Sequence, residues 1–321
     1  MDLVYYNGRF IPEKNVQKSM EADRVLRLLR SFLDENEPSL VRILVHTWNV
    51  QGKAITYKEL REAILNGEID SELLDDWMQD YTRFVKKHLQ PLWEKAIIAG
   101  AAELQRKYPA FVFDPMGDGV KAWTAKHGAE FVTYVTKAQI EGLRAVVRRA
   151  AVLEDMTVDQ LARAIRPMVG LYKEQTLANL NYYNTLIESG MSEKKALDKS
   201  IRYAARQHRY RGYNIARTEL AFAYNQGSYE GTKQAQAAGL LGEVEKEWCT
   251  ADDERVCKIC GALDGKRIAM DEDFDFHTKL AGRNATIRRV PPAHPSCRCA
   301  VKYVEISPPT YSEIVSEQLK I

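Results

Sequence analysis

The sequence predicts a mainly α-helical protein, in which a helical body is followed by a small, compact α+β module near the C-terminus. Three observations predict this fold class. Apolar residues recur at helical spacing over about the first 235 residues. After Gly239 the chain becomes rich in glycine, proline, aspartate and short β-like runs. The only cysteines of the chain also fall in this later part: Cys249, Cys257, Cys260, Cys297 and Cys299.

The N-terminal residues predict a short hairpin followed by a long helix. Asn7-Gly8 is the preferred pair for a type I′ turn, and β-forming residues flank it on both sides. An apolar stripe at i, i+3, i+4, i+7 and i+8 then predicts the buried face of the helix. The stripe consists of Val25, Leu28, Leu29, Phe32 and Leu33.

Further helix starts and breaks are visible along the body. Thr56 with Glu59 forms a capping-box pattern, and Thr157 with Gln160 repeats it. Helical spacing also covers residues 73–108, where Pro91 is expected to break or kink the helix. We expect more helices over about residues 123–151 and 192–238, with a loop at residues 113–119.

We therefore predict three parts of the chain. Residues 1–150 form a helical N-terminal region with the hairpin, residues 151–305 form a second domain, and residues 306–321 form a tail. Within the second domain, residues 248–303 make up a Cys/His module.

Composition places the chain among ordinary soluble proteins. It has 321 residues, of which 45% are apolar and 28% charged, and its net charge of +2 says nothing about nucleic acid. The first residues lack the basic start and apolar stretch of a signal peptide. No run of eighteen apolar residues occurs, so we expect no membrane partner and folding in a cytosol.

Two close clusters in the module have the ligand types and spacing of a structural zinc site. The first is Cys257-Lys-Ile-Cys260 and the second is His294-Pro-Ser-Cys297-Arg-Cys299. A tetrahedral ion takes four of these five donors. We predict the set Cys257, Cys260, His294 and Cys297, with Cys299 as the substitute, and expect only one of the last two cysteines to reach the metal.

Two other interpretations of the clusters stay open, a disulfide framework and a reduced cluster without metal. Disulfides are rare in cytosolic proteins, and a thioredoxin-like CxxC would need a βαβ context that the sequence lacks. Cys249 lies eight residues before the first pair, outside both clusters, and is expected to be a buried small hydrophobe.

A basic stretch with interleaved aromatic residues runs from Lys199 to Arg217 without an acidic residue. The spacing of Arg202, Arg206 and Arg209 puts them on one helical face, and Arg211 follows closely. Such a surface can neutralise phosphates and stack on bases. The alternatives are an acidic protein partner and a solvated face.

The next stretch is unusually rich in small residues, which let a helix pack closely on a neighbour. They are Ala221, Ala223, Gly227, Gly231, Ala235, Ala237 and Ala238. Arg217 and Glu219 precede them and are two residues apart, so we expect each to order a neighbouring segment instead of pairing with the other.

Catalytic signatures are weak in this sequence. Asp252, Asp253 and Glu254 precede the first cysteine pair and could serve acid/base chemistry, but carboxylates there are also expected to cap turns or pair with Arg255. No P-loop, HExxH, GxGxxG or Ser-His-Asp order occurs.

Three ordered motifs together resemble one protein family. They are Ile215-Ala216-Arg217-Thr218-Glu219 with Ala223 and Asn225, then Trp248 through Asp264-Gly265, then Pro291-Pro292-Ala293-His294-Pro295-Ser296-Cys297-Arg298-Cys299. In this order and spacing they resemble the head-morphogenesis domain of tailed-phage minor head proteins, the phage Mu F-like group. The resemblance covers about residues 160–303.

The resemblance implies a non-catalytic virion component made in the host cytoplasm. Such a protein would associate with the portal protein, enter the head during assembly, and act in DNA packaging or ejection. It would also meet scaffold or major capsid protein and double-stranded DNA. The alternative function is a zinc-containing nucleic-acid-processing enzyme or a toxin-like transferase, although we expect no fused domain of that kind after the module.

Overall fold

The computed structural model describes residues 3–6, 9–69, 71–153, 156–251, 253–274 and 289–309. Within these ranges it is mainly helical with a small three-stranded sheet near the C-terminus, which confirms the predicted fold class. The helices are α1 (Glu13–Ala54), α2 (Tyr57–Asn66), α3 (Ser71–Phe84), α4 (Gln90–Lys107), α5 (Asp118–Ala150), α6 (Val158–Ile165), α7 (Lys173–Glu188), α8 (Glu193–Ala237) and α9 (Lys258–Leu263). The strands are β1 (Leu3–Tyr6), β2 (Arg9–Pro12), β3 (Glu243–Cys249), β4 (Arg267–Ala269) and β5 (Ala300–Ser307).

The N-terminal hairpin is present as predicted, because β1 and β2 pair antiparallel with Leu3 opposite Pro12. Its turn residues Asn7 and Gly8 lie outside the described residues. None of the described helices combines the length and apolar character needed to cross a bilayer.

The residues group into two compact units, and each unit is assembled from separate stretches of the chain. The first unit comprises Met1–Glu37, Leu92–Ala122 and Ile215–Ile321, and the second comprises Pro38–Pro91 and Trp123–Asn214. The division that the sequence suggested, at residues 150 and 305, stays a prediction.

The second unit is built around an apolar cluster from α2, α3, α5, α6, α7 and the first part of α8. Its largest members include Trp77, Leu143, Ile165, Leu180 and Tyr183, each at most 2% exposed. Both predicted capping boxes are confirmed at its helix starts. Thr56 caps α2 and Thr157 caps α6, each with the reciprocal bond from the third helical residue.

Pro91 does not end its helix. A π-helical turn at Val85–Leu89 joins α3 to α4 directly before it, and the Gln90 amide donates to the Val85 carbonyl. Proline has no amide hydrogen to donate, so the chain changes its hydrogen-bond spacing in this turn and the helix continues.

In the first unit the C-terminal part of α8 lies directly against α4, as the small residues predicted. A Cβ atom on Gly227 would lie 2.0 Å from the Ile97 carbonyl oxygen, and one on Gly100 would lie 1.9 Å from that of Tyr224. The Ser228 hydroxyl donates to the Gly100 carbonyl over 2.8 Å. Only glycine therefore allows these two backbones to come so close.

The first part of α1 buries a slightly different stripe from the one predicted. Leu29, Phe32 and Leu33 are buried, but Leu28 is 38% exposed and Leu26 takes its place. Positions 26 and 28 are two residues apart, so the true buried face is rotated relative to the predicted one.

The sheet of the first unit has the order β4-β3-β5, with both pairings antiparallel. Trp248 on the central strand is fully buried, lies opposite Val301, and packs edge to face with Phe274. Asp264 and Gly265 form the turn before β4, where Gly265 takes a φ of 72° that favours glycine. The Asp264 carboxylate accepts from the Thr250 amide over 2.8 Å and fixes this turn to the end of β3.

Candidate metal centre

The first cysteine pair forms a knuckle at the start of α9. Cys257 is the N-cap residue of this short helix, and its sulfur accepts from the Cys260 amide over 3.3 Å. Cys260 is 3% exposed, whereas Cys257 is only half-buried. The local turn therefore directs both sulfur atoms to the same side of the knuckle.

The second cluster forms a matching turn that is fixed to helix α8. The Cys297 amide donates to the His294 carbonyl over 3.2 Å, and Ser296 between them has a left-handed φ of 59°. The Ser296 amide donates to the Thr218 hydroxyl over 2.9 Å, which places this turn against α8.

The donor atoms lie at distances that suit a tetrahedral ion. His294 Nε2 is 3.1 Å from Cys257 Sγ and 3.2 Å from Cys260 Sγ, and Cys260 Sγ is 3.7 Å from Cys297 Sγ. Two thiolates on one tetrahedral zinc ion would be about 3.8 Å apart, from a Zn–S bond of about 2.3 Å. The chemistry of these side chains and the 3.7 Å between the Cys260 and Cys297 sulfurs thus fit zinc.

The imidazole of His294 is oriented for ligation through Nε2. Its Nδ1 lies 2.9 Å from the Pro295 carbonyl, to which an Nδ1 hydrogen would donate. That tautomer leaves the lone pair of Nε2 directed at the two sulfurs, and metal-binding histidines usually have such a bond on the second nitrogen.

Cys297 and Cys299 both turn towards Cys260, and the expectation that only one of them reaches the metal stays a prediction. The donor atoms form two groups within 4.8 Å, one of Cys257, Cys260 and His294 and one of Cys260, Cys297 and Cys299. Residues two apart in an extended chain share a face, which explains the arrangement. The choice of four ligands among the five stays a prediction.

Burial and hydrogen bonding shift the pKa values of the cysteine thiols in different directions. The hydrogen bond between the Cys260 and Cys297 sulfurs lowers the pKa of Cys297. Burial raises the pKa of Cys249 to about 12, so this thiol stays protonated. Cys249 is 2% exposed and its sulfur donates to the Glu247 carbonyl, as expected for a buried cysteine outside the site.

Asn225 of α8 connects the metal centre to the sheet. Its side-chain amide donates to the Ala221 carbonyl over 2.8 Å and to the Cys299 carbonyl over 3.4 Å. Its carbonyl oxygen accepts from the Val301 amide over 3.1 Å. One buried side chain therefore holds the residues on both sides of Ala300 at the start of β5.

The other motif residues of α8 lie in the same unit. Arg217 forms two hydrogen bonds with Glu37 of α1, of 2.7 and 2.8 Å, and Glu37 is 3% exposed. Glu219 is buried. Glu37 is the last α1 residue that belongs to the first unit. Arg217 thus fixes the end of this part of α1.

The arginines predicted to bind DNA or a partner do not all lie on a surface. Arg202, Arg206 and Arg209 are exposed on α8 in the second unit. Arg211 is 3% exposed, hydrogen-bonds to the Gly170 carbonyl, and lies over the Trp48 ring at 5.2 Å. Its assignment to the exposed face was wrong, because it is two residues from Arg209 and so points to another side of the helix.

Two residues that shape the site were named from the sequence only as members of the motifs, without the contacts that the structure shows. Arg298, between the last two cysteines, forms a bidentate pair with Asp253, and Thr218 binds the Ser296 amide. The position of Arg298 between two cysteines indicated a role near the site, whereas the sequence gave no indication of what Thr218 contacts.

A comparison with known families identifies the region that contains this centre. Residues 148–302 match the family model described as Phage Mu protein F like protein. No curated protein and no solved structure gave a significant match. Over residues 148–302, therefore, the chain is similar to the phage Mu protein F-like family, and the resemblance predicted from the three ordered motifs is confirmed.

Proposed function

We propose that this protein is a minor structural component of a tailed-phage head. The observation that carries the proposal is the family match over residues 148–302, which includes all three motifs of the predicted resemblance. The same match supports a role in head morphogenesis and a location in the virion. It also favours a structural protein over an enzyme.

The geometry of the Cys/His centre supports the structural role. A catalytic zinc keeps one coordination position open for water or substrate, whereas a structural zinc is enclosed by four protein ligands. Here five N and S donors are available, and Cys260, Cys297 and Cys299 are each at most 4% exposed. The Asp253 carboxylate, a candidate for acid/base chemistry, is engaged by Arg255 and Arg298.

We further propose that the centre holds one structural zinc ion. Purified protein should contain about one zinc per chain, and replacing Cys257 and Cys260 with serine should release it, because serine is a poor zinc ligand. The matched control is Cys249→Ala, which changes a buried cysteine outside the centre and should keep the ion. Elemental analysis of anaerobically purified protein measures the zinc content of the wild type, the double serine variant and Cys249→Ala.

The alternative interpretations give different results in the same experiment. Protein without metal, and with a Cys–Cys bridge detected by mass spectrometry, would support the disulfide framework and contradict zinc. Metal-free protein with five free thiols would support the reduced cluster.

The partner proposed for assembly is the portal protein of the same phage. The ground for this partner is the resemblance of the three ordered motifs to minor head proteins. Co-expression with that portal protein should give a complex that survives size-exclusion chromatography. The major capsid protein of the same phage, co-expressed in place of the portal, is the specificity control.

A second proposed partner is double-stranded DNA, at the exposed arginine face formed by Arg202, Arg206 and Arg209. None of these three arginines forms an ion pair with another described residue. The Arg206 guanidinium lies 5.7 Å from the Tyr203 ring centre, and Tyr210 is 61% exposed on the same stretch. Arginines without an ion-pair partner suit phosphate contacts, and the aromatic rings beside them provide an apolar surface for the sugar or bases.

A further inference from the structure

One ion pair joins the two halves of the metal centre. Arg298 lies between Cys297 and Cys299, and Asp253 lies four residues before Cys257. The two guanidinium nitrogens of Arg298 donate to the two carboxylate oxygens of Asp253 over 2.6 and 2.7 Å. A direct protein contact thus spans the same gap between the clusters that the zinc ion would span.

The geometry of this pair makes it stronger than an ordinary surface salt bridge. Both side chains are only 22% exposed, and the two parallel bonds fix the orientation of the guanidinium plane. The Asp253 carboxylate also accepts from the Arg255 amide over 3.1 Å, so it is held in place by its own turn. Together these bonds keep the pKa of Asp253 well below its usual range, and Arg298 is the largest cause.

We infer that Asp253 and Arg298 are positioning residues for the metal, which hold the two cysteine clusters at ligand distance before the ion binds. The inference rests on the proposed zinc site and adds how that site is arranged. An ion that binds to a prearranged site does not have to order two separate turns, so it binds more tightly and leaves more slowly. The pair also explains why an arginine stands between two cysteines.

Arg255 provides a matched control for the pair. Its guanidinium touches the same Asp253 carboxylate, at 3.3 Å, but its side chain is 70% exposed and it belongs to the first cluster alone. Removing it leaves the connection between the clusters in place. A variant of Arg255 therefore removes a positive charge next to Asp253 but keeps the Asp253–Arg298 contact between the two clusters.

The experiment compares the rate of zinc release to an excess of a chromophoric chelator. Asp253→Asn and Arg298→Gln should each release zinc about tenfold faster than the wild type, the size expected when an outer partner of a metal site is lost. Arg255→Gln should release it at the wild-type rate. The double variant should be no faster than either single one, because both remove the same interaction.

A second measurement follows the metal-free chain, in which a thiol-specific alkylating agent probes Cys297. The pair should keep this buried thiol protected without metal, so Asp253→Asn should be alkylated several times faster than the wild type. The exchanged variant Asp253→Arg with Arg298→Asp should restore part of the protection. Circular dichroism establishes that each variant is folded.

The outcomes separate this inference from the zinc proposal. A wild-type protein that binds no zinc would overturn the zinc proposal and, with it, the positioning of an ion. Zinc binding with unchanged release and alkylation rates in Asp253→Asn and Arg298→Gln would overturn the inference alone. So would a double variant whose effect on release is the product of the two single effects.

Discussion

The two halves of helix α8 show how one helix can serve two different purposes. Residues 193–214 belong to the second unit and bury a single stripe, while residues 215–237 belong to the first unit and are buried on nearly all sides. The stripe of the first half recurs every four residues and consists of Ala196, Ser200, Ala204, His208 and Gly212, with the buried Arg211 beside it. The opposite side is free to carry exposed arginines.

The size and polarity of the residues along this helix follow the degree to which each half is buried. A half with one buried stripe tolerates large cations and tyrosines on its exposed side. A half that is enclosed needs small residues where another backbone approaches, and polar side chains such as Asn225 only where they connect segments. Changes in the second half should therefore affect folding, and changes on the exposed side of the first half should affect binding.

The largest effect is expected from Gly227→Ala. The new methyl group would lie 2.0 Å from the Ile97 carbonyl oxygen, so α4 and α8 would have to move apart. We expect a loss of about 3 kcal/mol or more in the free energy of unfolding. Alanine itself favours a helix by about 1 kcal/mol over glycine, so the loss would come from the close approach alone. Urea denaturation measures the change.

Gly212→Ala is the matched control in the first half of the same helix. Its Cβ would lie 3.2 Å from a methyl carbon of Val41, a side chain that can shift. We expect a change within about 1 kcal/mol, since the gain in helix propensity offsets the crowding. Equal losses in the two variants would contradict the proposed contrast between the halves.

The buried stripe of the first half should show a pH dependence through His208. Burial lowers the pKa of His208 to about 4, against 6.5 for the exposed side chain, and its Nε2 lies 2.9 Å from the Val169 carbonyl. The unfolded chain takes up a proton at a higher pH than the folded protein does. The contribution of His208 to the free energy of unfolding is thus complete above about pH 6.5. It declines by about 3 kcal/mol as the pH falls from 6.5 to 4.

The variant His208→Gln tests this assignment. Glutamine can donate to the same carbonyl but does not titrate, so the part of the stability loss due to His208 should disappear. The measurement is the free energy of unfolding at several pH values between 4 and 7. A variant with the same pH slope as the wild type would assign the loss to other groups.

The smallest effect on stability, but the largest on binding, is expected for the exposed arginine face. Replacing Arg202, Arg206 and Arg209 with alanine should change the free energy of unfolding by about 0.5 kcal/mol at most per residue. If the three contact phosphates, the slope of log affinity against log salt should fall by about three. Fluorescence anisotropy with duplex DNA of random sequence measures the slope.

The control for this variant removes three exposed arginines from α5 of the same unit, Arg144, Arg148 and Arg149. It changes the net charge equally, so a general charge effect would appear in both variants. Unchanged binding in the Arg202, Arg206 and Arg209 variant would place the DNA surface elsewhere. No binding by the wild type at low salt would leave this face to a protein partner.

Local features of this fold could be predicted well from the sequence. Both capping boxes, the extent of α8 and the change of character after Gly239 depend on neighbouring residues, which the sequence shows directly. The cysteine spacing likewise identified side chains whose donor atoms form two groups that share Cys260. The close approach of α4 to α8 was indicated by the run of small residues, although the sequence did not name α4.

Features that depend on distant partners could not be predicted. The burial of Arg211 requires the Gly170 carbonyl and the Trp48 ring, which lie far away in sequence, although helical spacing alone would have separated Arg211 from Arg209. The bond from Asn225 to Val301 crosses 76 residues, so the sequence identifies Asn225 through the family motif only. The ion pair of Asp253 and Arg298 also joins residues that are distant in sequence, so spacing alone does not predict it.

The central proposal is that this protein is a structural part of phage heads, and quantitative mass spectrometry of purified particles tests it most directly. Heads from the phage that encodes the chain should contain it at a fixed, low copy number relative to the major capsid protein. Particles made without the gene should still form shells but infect poorly. Its absence from purified heads, or full infectivity of particles made without it, would contradict the account.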